Sequence, residues 1–346
     1  MDCNAGNQAF VCVTTDYVEP NLEWERREYE TANIVYRTNQ LRNAGAAELV
    51  AAARDADALV VDQARISREV MAGLSRCRLI LRHGDGYDNL DIEAATEAGI
   101  VCANEPGFWS NEVAEQALAL ALSLALKLPI QQTVAREGSI RGWSCERIMP
   151  CWTLGSRTVG IIGFGKTGAL ACKLFSPLVL RVLVNDPSAG ENLIKKAGGT
   201  PAGFDETLRA SDIVSIHIPA TPNTIGLFNS ALIGKMKRGA ILVNVSRGNI
   251  VDTEALYKAL LHGQLSGAGL DVTSPEPLLR DHPLFSVPNV IITPHMGWYS
   301  EEALWNMRRQ IVADVRAMRD GKLPLSVVNP EVLKSNRLRL GSNPDK

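Results

Sequence analysis

Three polar side chains stand where apolar runs of the sequence end: Arg247 in NVSRG, Glu276 in DVTSPEP and His295 in ITPH. Each alone has an ordinary explanation, because arginine and glutamate often form surface ion pairs and a histidine often sits hydrogen-bonded in a loop. Together they supply an anion clamp, a carboxylate and a proton donor at the carboxyl edge of one predicted sheet. This combination predicts a site for proton transfer beside a bound anion.

The stretch that must position them contains the glycine pattern GFGKTG, which directly follows a short apolar run, 159–162, and opens a predicted helix. Glycines spaced in this way permit a tight turn, close approach of the backbone to a pyrophosphate, and close packing of helix on strand. The N–H groups at the helix start then face the phosphate charge. The pattern therefore predicts a dinucleotide site; an ordinary glycine turn is the alternative. Its glycines are Gly163, Gly165 and Gly168.

A second apolar run, 181–184, leads to Asp186, about 20 residues after the glycine pattern, where a carboxylate can accept hydrogen bonds from an adenosine ribose. A 2′-phosphate placed there would meet like charge without an arginine partner. Asp186 therefore predicts NAD rather than NADP.

The composition is that of a large globular protein. With 346 residues, of which 46% are hydrophobic, the chain is long enough for two cores. The formal net charge is −2 and the basic residues form no run, so neither nucleic acid nor a membrane is expected as a partner. Scattered cysteines without a CxxC pair favour a reduced compartment and separate packing roles, so no metal site is predicted. With no secretory signal visible, we expect a cytoplasmic protein. The cysteines are Cys3, Cys12, Cys77, Cys102, Cys145, Cys151 and Cys172.

Alternating strand and helix patterns indicate an α/β fold with parallel sheets. In the N-terminal part, residues 10–14, 58–61 and 79–81 are predicted strands, and 44–54 and 68–74 are predicted helices. The third strand leads into RHGDGYDNLD, at the kind of strand end where ligands of open α/β sheets collect. A solvated turn is an equally good interpretation of this loop.

The middle of the chain predicts a complete doubly wound sheet of six strands. They are residues 159–162, 181–184, 213–218, 240–245, 267–272 and 290–293. Before them, Ser110 is the predicted cap of an apolar helix that Pro129 closes. The segment 130–152 has no clear period and is predicted to be an irregular arm that covers a partner subunit.

The last predicted helix starts near Ser300 and has one apolar stripe, formed by Leu304, Met307, Ile311, Val315 and Met318. We expect it to return to the N-terminal domain. The prediction is therefore two Rossmann-like domains: a doubly wound dinucleotide-binding domain, residues 106–296, inserted into a flavodoxin-like substrate domain, residues 1–105 and 297–346.

These motifs resemble those of the D-isomer-specific 2-hydroxyacid dehydrogenases. The resemblance rests on GIIGFGKTG, RHGDGYDN, NVSRGNIVD, GLDVTSPEP and TPH, and it extends from about residue 82 to residue 324. Within the family the sequence is most similar to the C-terminal-binding-protein branch, through Arg82 in the substrate loop and HMGWYSEEALWNM after the histidine. One departure is Asp85, where that branch has a serine in its carboxylate-binding loop.

The resemblance implies reduction of a 2-oxo acid by NADH. Arg247 would hold the carboxylate and the keto oxygen, and His295 would donate the proton. Glu276 would keep the imidazole protonated towards neutral pH. The N–H groups of Asp85 and Gly86 would receive the other end of the carboxylate.

The glycine pattern and the resemblance together assign a larger set of residues to the two ligands. The predicted cofactor residues are Gly163, Gly165, Lys166, Thr167, Gly168, Asp186, Ile218, Pro219, Thr224, Val245, Ser246, Arg247, Asp271, His295 and Gly297. The predicted substrate residues are Arg82, Asp85, Gly86, Trp298 and Met307.

Two functions are compatible with these residues. The first is an NAD(H)-dependent oxidoreductase that interconverts a 2-oxo acid and a D-2-hydroxy acid, with an apolar or sulfur-bearing substrate side chain against Trp298 and Met307. The second is an NAD(H)-sensing interaction protein of the C-terminal-binding-protein type. The predicted catalytic residues favour the first, because a sensor needs only the cofactor site. We expect a homodimer or a dimer of dimers.

Overall fold

The computed structural model describes residues 9–19, 21–137, 146 and 148–340. The chain forms two compact units, one made of Met1–Phe108 with Glu301–Lys346 and the other of Trp109–Ser300. The domain limits predicted from the sequence stay a prediction.

In chain order the strands are β1 (Phe10–Thr14), β2 (Ile34–Thr38), β3 (Ala58–Val61), β4 (Leu79–Arg82), β5 (Val101–Ala103), β6 (Thr158–Ile162), β7 (Arg181–Asn185), β8 (Gly199–Pro201), β9 (Ile213–Ile216), β10 (Ala240–Asn244), β11 (Leu265–Leu270) and β12 (Val290–Ile292). The helices are α1 (Glu23–Thr31), α2 (Ala46–Ala53), α3 (Arg68–Ala72), α4 (Ile92–Ala98), α5 (Ser110–Ala125), α6 (Leu128–Arg136), α7 (Lys166–Phe175), α8 (Glu191–Lys196), α9 (Phe204–Ala210), α10 (Ser230–Ile233), α11 (Thr253–Leu261) and α12 (Glu301–Arg319). Short 3₁₀ helices cover Leu154–Ser156, Gly248–Ile250, Pro283–Ser286 and Pro330–Lys334.

A parallel sheet with the order β2-β1-β3-β4-β5 forms the centre of the first unit. Helices α2, α3 and α4 pack on one face, and α1 and α12 pack on the other. Because both faces are covered, β1 and β3 are buried along their whole length. The order is flavodoxin-like, as predicted. The sequence prediction missed β2, a partly exposed edge strand with an arginine, and β5, which has only three residues.

The second unit contains a parallel sheet with the order β12-β11-β10-β9-β6-β7-β8. Counted from β6, this is the doubly wound order of dinucleotide-binding domains with one further strand at the end, so the predicted fold class is confirmed. Helices α5, α7 and α8 cover one face, and α9, α10 and α11 cover the other. The prediction of six strands was wrong by one, because β8 is a short strand containing glycine and proline that is tolerated at a sheet edge.

The helix predicted between Ser110 and Pro129 is in fact two helices. The first, α5, has Trp109 at its cap position, begins at Ser110 and ends at Ala125, so Ser110 is not the cap. Lys127 then adopts a left-handed conformation with φ 54. Pro129 lies in the first turn of α6, where its missing N–H costs no helical hydrogen bond, so it opens a helix instead of closing one.

Helices α5 and α6 also bear on membrane insertion. Within the described ranges, no single helix has both the length and the apolar composition to cross a membrane. The pair α5 and α6 meets both criteria together, with a bend of 56° between its members.

The segment 130–152, predicted to be an irregular arm, begins as helix α6. Residues 138–145 and 147 of this segment lie outside the described residues. At its end, the main-chain N–H of Trp152 donates to the carbonyl oxygen of Ala125 (3.2 Å), and the Arg157 guanidinium lies 4.9 Å from the centre of the Trp152 ring. The predicted contact with a partner subunit stays a prediction.

Helix α12 carries the apolar stripe that the sequence predicts. It begins at Glu301, and all five residues of the stripe are buried. The predicted helix and its buried face are therefore confirmed.

Candidate active site

The glycine pattern forms the turn between β6 and α7. Gly163 has φ +95, a conformation that favours glycine, and a Cβ there would lie 2.6 Å from the carbonyl oxygen of His217, in the loop after β9. A Cβ on Gly168 would lie 2.1 Å from the Gly163 oxygen, whereas one on Gly165 would meet nothing within 4 Å. The turn is therefore closed towards the protein and open on the ligand side, as a pyrophosphate at the start of α7 requires. Lys166 and Thr167 are the first residues of that helix.

Asp186 directly follows β7, beside the glycine turn. Its carboxylate accepts hydrogen bonds from the Phe164 N–H (2.7 Å) and from the N–H and hydroxyl of Ser188 (2.8 and 2.7 Å). Burial raises the pKa of Asp186, but these hydrogen bonds more than offset burial and hold the pKa below its ordinary value. A cavity of about 390 Å³ adjoins this carboxylate and is also lined by Glu191 and Glu206. The residues present fit the ribose of NAD, and their negative charge disfavours a 2′-phosphate.

The remaining predicted cofactor residues lie in loops after β9 and β10. In the first loop, the Thr224 hydroxyl accepts from the Thr221 N–H (2.7 Å) and donates to the Pro219 oxygen (2.6 Å). In the second, the Ser246 hydroxyl donates to the oxygen of Ile216 at the end of β9 (3.1 Å). The Thr224 bonds brace the first loop, and the Ser246 bond joins the ends of β9 and β10; β9 is the neighbour of β6, which leads into the glycine turn. The individual contacts of Ile218, Pro219, Thr224, Val245 and Ser246 with the cofactor stay predictions.

His295 and Glu276 are in direct contact, with Nδ1 of His295 2.5 Å from Oε1 of Glu276. Their side chains are 39% and 43% exposed, so a ligand can reach the pair. Burial raises the pKa of Glu276, but the hydrogen bond and charge of His295, helped by the charge of Arg247, bring it below its ordinary value. The Glu276 carboxylate is therefore ionised at neutral pH. It is stabilised by the neighbouring His295 imidazole and by the positive charge of Arg247.

The main chain around Arg247 is held by Asn244, which is fully buried at the end of β10. The Asn244 amide donates to the Arg247 oxygen (2.9 Å), and its own oxygen accepts from the Ser246 N–H (3.1 Å). One guanidinium nitrogen of Arg247 donates to the Ser246 oxygen (2.8 Å). Sequence reasoning did not single out Asn244, although a polar residue that ends the apolar run AILVN is the signal for it.

Asp271 holds the loop that carries His295. Its Oδ1 accepts from the Thr293 hydroxyl (2.5 Å) and the Met296 N–H (3.0 Å), and its Oδ2 accepts from the Gly297 N–H (2.8 Å). The His295 N–H donates to the main-chain oxygen of Asp271 (2.9 Å). These bonds maintain His295 at φ 55, a left-handed conformation that costs a non-glycine residue on the order of 1 to 3 kcal/mol.

Gln116 on α5 completes this network and was not predicted. Its amide nitrogen donates to the Thr293 hydroxyl (2.9 Å) and lies 3.5 Å from Oδ1 of Asp271. Gln116 directly precedes the apolar run of α5, and this position of a side-chain amide is only a weak sequence signal. Asp271 is only 2% exposed and its carboxylate is bonded to the loop, and its predicted role in binding the cofactor stays a prediction.

Arg82 and Asp85, predicted to bind substrate, lie in the first unit. Arg82 is the last residue of β4. One nitrogen of its guanidinium lies 3.4 Å from Oδ1 of Asp62 and also donates to the main-chain oxygen of His83. Asp85 is exposed, and its side chain turns towards Asn104, whose amide nitrogen lies 3.5 Å from Oδ1 and donates to the Asp85 main-chain oxygen (2.7 Å). The Asp85 carboxylate is therefore drawn towards an amide donor.

The other three predicted substrate residues have different surroundings. Gly86 is half-buried in the loop after β4, and Met307 is buried on α12 of the first unit. Trp298 belongs to the second unit, where it packs edge-on against Trp109 (6.4 Å between ring centres) and Tyr299 (5.4 Å). The roles of these three residues towards a substrate stay predictions.

Metal binding and disulfide formation find no support in the described part of the chain. There, no group of three or more His, Cys, Asp and Glu side chains is arranged to hold a metal ion. The cysteines described are free thiols: Cys12, Cys77, Cys102, Cys151 and Cys172.

We expect Asp186→Ala to narrow the preference for NADH over NADPH by about tenfold or more, because it removes a like charge from the position of the 2′-phosphate. The measurement is the dissociation constant of each cofactor from nicotinamide fluorescence. The control is Asp281→Ala, which removes an exposed acid from another loop. Equal wild-type affinities for the two cofactors would contradict the prediction.

Asp271→Asn and Thr293→Val are expected to lower kcat for the predicted reduction by about tenfold to a hundredfold, because the loop no longer holds His295 in place. NADH affinity should change far less in Thr293→Val, because Thr293 is not among the predicted cofactor residues and the glycine turn is untouched. Steady-state kinetics and NADH fluorescence measure the two effects, with Thr200→Val on the exposed edge strand as control. A kcat close to wild type in both variants would show that the network does not position His295.

Comparison with known proteins agrees with this geometry. Residues 118–297 match the family model described as D-isomer specific 2-hydroxyacid dehydrogenase, NAD binding domain. The chain is 35% identical to glyoxylate reductase of Korarchaeum cryptofilum, over 81% of this chain and 85% of that protein. It is 37% identical to D-3-phosphoglycerate dehydrogenase of Archaeoglobus fulgidus, over 82% of this chain and 53% of that longer protein.

A solved structure is similar over almost the whole length of the chain. D-Lactate dehydrogenase from Aquifex aeolicus, complexed with NAD and lactic acid, superposes with a TM-score of 0.81 at 27% identity and covers 92% of this chain and 99% of its own. The glycine turn, the doubly wound sheet and the matched family model all indicate an NAD-binding domain. The chain therefore belongs to the D-isomer specific 2-hydroxyacid dehydrogenases, NAD-dependent enzymes, and its second unit contains the NAD-binding domain of that family.

Proposed function

We propose that the protein uses NADH to reduce a 2-oxo acid to the D-2-hydroxy acid. The contact between His295 and Glu276 carries this proposal, because an imidazole bonded to an ionised carboxylate at the carboxyl edge of the sheet is suited to donate a proton. The sheet, the glycine turn and the accessible pair together match the needs of hydride transfer to a carbonyl.

In this mechanism the bound nicotinamide supplies the hydride. Arg247 binds the substrate carboxylate and the keto oxygen through its planar fork of donors, and so turns the carbonyl carbon towards the cofactor. Nδ1 of His295 is bonded to Glu276, so Nε2 is the nitrogen that would donate the proton to the keto oxygen. Glu276 stabilises the imidazolium of His295 before the proton is donated. In the reverse reaction, Nε2 of His295 accepts the proton from the hydroxyl group.

For the substrate side chain we propose an apolar or thioether group, supported by the indole of Trp298 and the thioether of Met307. A second candidate is glyoxylate, which has no side chain; the names of several relatives, glyoxylate reductase, favour it. The D-3-phosphoglycerate dehydrogenase relative favours a charged substrate, and Arg82 is then the residue that we expect to select it.

The alternative function is an NAD(H)-sensing interaction protein of the C-terminal-binding-protein branch. It is supported by the segment HMGWYSEEALWNM, which resembles that branch. The accessible pair of His295 and Glu276 favours catalysis, because sensing needs no proton donor. Consumption of NADH with 2-oxo acids, measured beside a pull-down of protein partners, separates the two functions.

We further propose a homodimer or a dimer of dimers in the cytoplasm. Exposed apolar side chains at both ends of the 126–150 segment support association: Leu126, Leu128 and Met149. Light scattering after size exclusion measures the mass, and a monomer at micromolar concentration would contradict the proposal.

We expect 4-methylthio-2-oxobutyrate and phenylpyruvate to give higher kcat/KM than glyoxylate and pyruvate. A contact with one aromatic group is worth about 1 to 3 kcal/mol, or roughly tenfold to a hundredfold in kcat/KM. Trp298→Ala should remove most of this preference and leave glyoxylate reduction nearly intact. The control is Trp24→Ala, which removes an indole that packs edge-on against Trp305 in the first unit. If Trp298→Ala lowers both activities in proportion, the indole supports only its aromatic neighbours; if glyoxylate is the best wild-type substrate, the second candidate is correct.

Glu276→Gln is expected to lower kcat for reduction by about tenfold to a hundredfold, because His295 loses the carboxylate that orients its imidazole and stabilises the imidazolium. The measurement is steady-state kinetics of wild type and variant. His295→Ala should lower kcat by about 10² to 10⁴ while NADH binding survives. Near-normal turnover of Glu276→Gln would argue against the pairing, and near-normal turnover of His295→Ala would remove His295 as the proton donor.

A further inference from the structure

A second histidine–glutamate pair lies in the first unit, buried beside the loop predicted to bind the substrate carboxylate. Nε2 of His83 is 2.7 Å from Oε1 of Glu19, and the two residues are 8% and 5% exposed. The main-chain N–H of His83 donates to the Val61 oxygen (2.7 Å), which extends the pairing of β3 with β4 by one residue. His83 is thus fixed at the last point of the sheet, immediately before Gly84 and Asp85.

The other side of the same loop is bonded to the end of β5. The Gly84 oxygen accepts from the Glu105 N–H (2.9 Å), and the Asp85 oxygen accepts from the Asn104 amide (2.7 Å). Asn104 is itself held by the Ser326 hydroxyl (2.7 Å). The loop is therefore fastened on two sides, and the Glu19–His83 pair is its attachment to the segment after β1.

The surrounding charges balance when His83 is protonated. Four buried carboxylates lie at or near the pair, and each has a cationic partner within 4 Å. Arg42 is the partner of Asp16 and Asp62, Arg82 is a second partner of Asp62, Arg308 is the partner of Glu25, and His83 is the partner of Glu19. Loss of the His83 proton would leave the Glu19 carboxylate buried without its neighbouring cation, which is costly in a low-dielectric region. The pair therefore acts as a unit.

We propose that Glu19 and His83 are positioning residues that hold the loop 84–86 in the form that receives the substrate carboxylate. The inference rests on the proposed function, because it takes this loop to be the carboxylate-binding loop. The pair contacts neither hydride nor proton in transit, so it should act on the affinity for the 2-oxo acid and not on the chemical step.

The pair also makes substrate affinity depend on pH. Burial lowers the pKa of His83, but the hydrogen bond and charge of Glu19, with the charge of Asp62, outweigh burial and raise it above its ordinary value of about 6.5. Burial raises the pKa of Glu19, and its bond to His83 brings it below its ordinary value. Among the described residues, the charged and titratable groups that face the pair are Asp62, Arg82, Arg308, Glu25, Tyr17, Tyr29 and Tyr36.

The direction of the effect follows from these shifts. The contribution of the pair is complete below about pH 6.5 and is lost as pH rises through the raised pKa of His83. On the acid side it is lost only as pH falls through the lowered pKa of Glu19. The loop should therefore bind substrate best in weakly acidic to neutral solution.

The test compares His83→Gln, Glu19→Gln and the double variant with His262→Gln, the same change at an exposed helix end. At pH 6.5 each pair variant should raise KM for the 2-oxo acid by about tenfold to a hundredfold, with kcat and the NADH dissociation constant near wild type. The double variant should be no worse than the single ones, because both remove one interaction. As pH rises, the wild-type KM should approach that of His83→Gln.

A KM of His83→Gln equal to wild type at pH 6.5, or a difference that stays constant with pH, would overturn the inference. If His83→Gln does not fold, Glu19→Gln provides the same comparison with the imidazole retained. Hydrogen–deuterium exchange of a peptide covering 82–90 measures the loop without substrate and should be faster in both variants. If the wild type reduces no 2-oxo acid, the proposed function fails, whereas unchanged exchange in the variants overturns the positioning role itself.

Discussion

The bonds around the Asp271 carboxylate are the constraint on which the candidate active site depends. A buried carboxylate is unfavourable unless hydrogen bonds satisfy it, and Asp271 is satisfied by the loop that follows β12. This requirement fixes the path of residues 293–297 and maintains the left-handed conformation of His295. The proposed proton donor, His295, is therefore positioned by bonds of its loop to a neighbouring strand end, and its own side chain remains accessible.

A buried carboxylate that binds several N–H groups recurs at the carboxyl edge of the first sheet. Asp16 follows β1 and accepts from the N–H groups of Asp62 (3.2 Å), Gln63 (2.7 Å) and Ala64 (3.1 Å), which follow β3. β1 and β3 are the neighbours at which the strand order of this sheet reverses. At such a point the loops diverge and leave N–H groups without sheet partners. Asp16 joins the two loops at this point and fixes the main chain of Asp62, whose carboxylate lies 3.4 Å from the Arg82 guanidinium.

The two histidine–glutamate pairs show how burial decides what one chemical pairing can do. The distances are similar, 2.5 Å for His295–Glu276 and 2.7 Å for His83–Glu19. The first pair has side chains 39% and 43% exposed, so water and ligands reach it and a proton can leave. The second has side chains 7% and 1% exposed, and its proton is retained by a desolvated carboxylate. The accessible pair is suited to proton transfer, and the buried one is suited to fixing a loop.

The amino-acid sequence by itself determined the features that depend on local order. The glycine turn needs particular residue types at short spacing, so GFGKTG and Asp186 predict the dinucleotide site without a tertiary structure. The ends of apolar runs also predict which polar residues, Arg247, Glu276 and His295, reach the carboxyl edge of the sheet. The same signal is weak where a strand is short or contains proline, and for that reason β8 was missed.

Only the tertiary structure decided the pairings between distant segments. Gln116 meets Thr293 across 177 positions of sequence, and Glu19 meets His83 across 64. Neither pairing leaves a periodic or motif signal, because each depends on which helix or loop packs on which strand end. Tertiary packing also directed Asp271 to the His295 loop and surrounded Trp298 with aromatic rings. The sequence determines the chemistry of each side chain, but the packing of the folded chain determines which partner orients it.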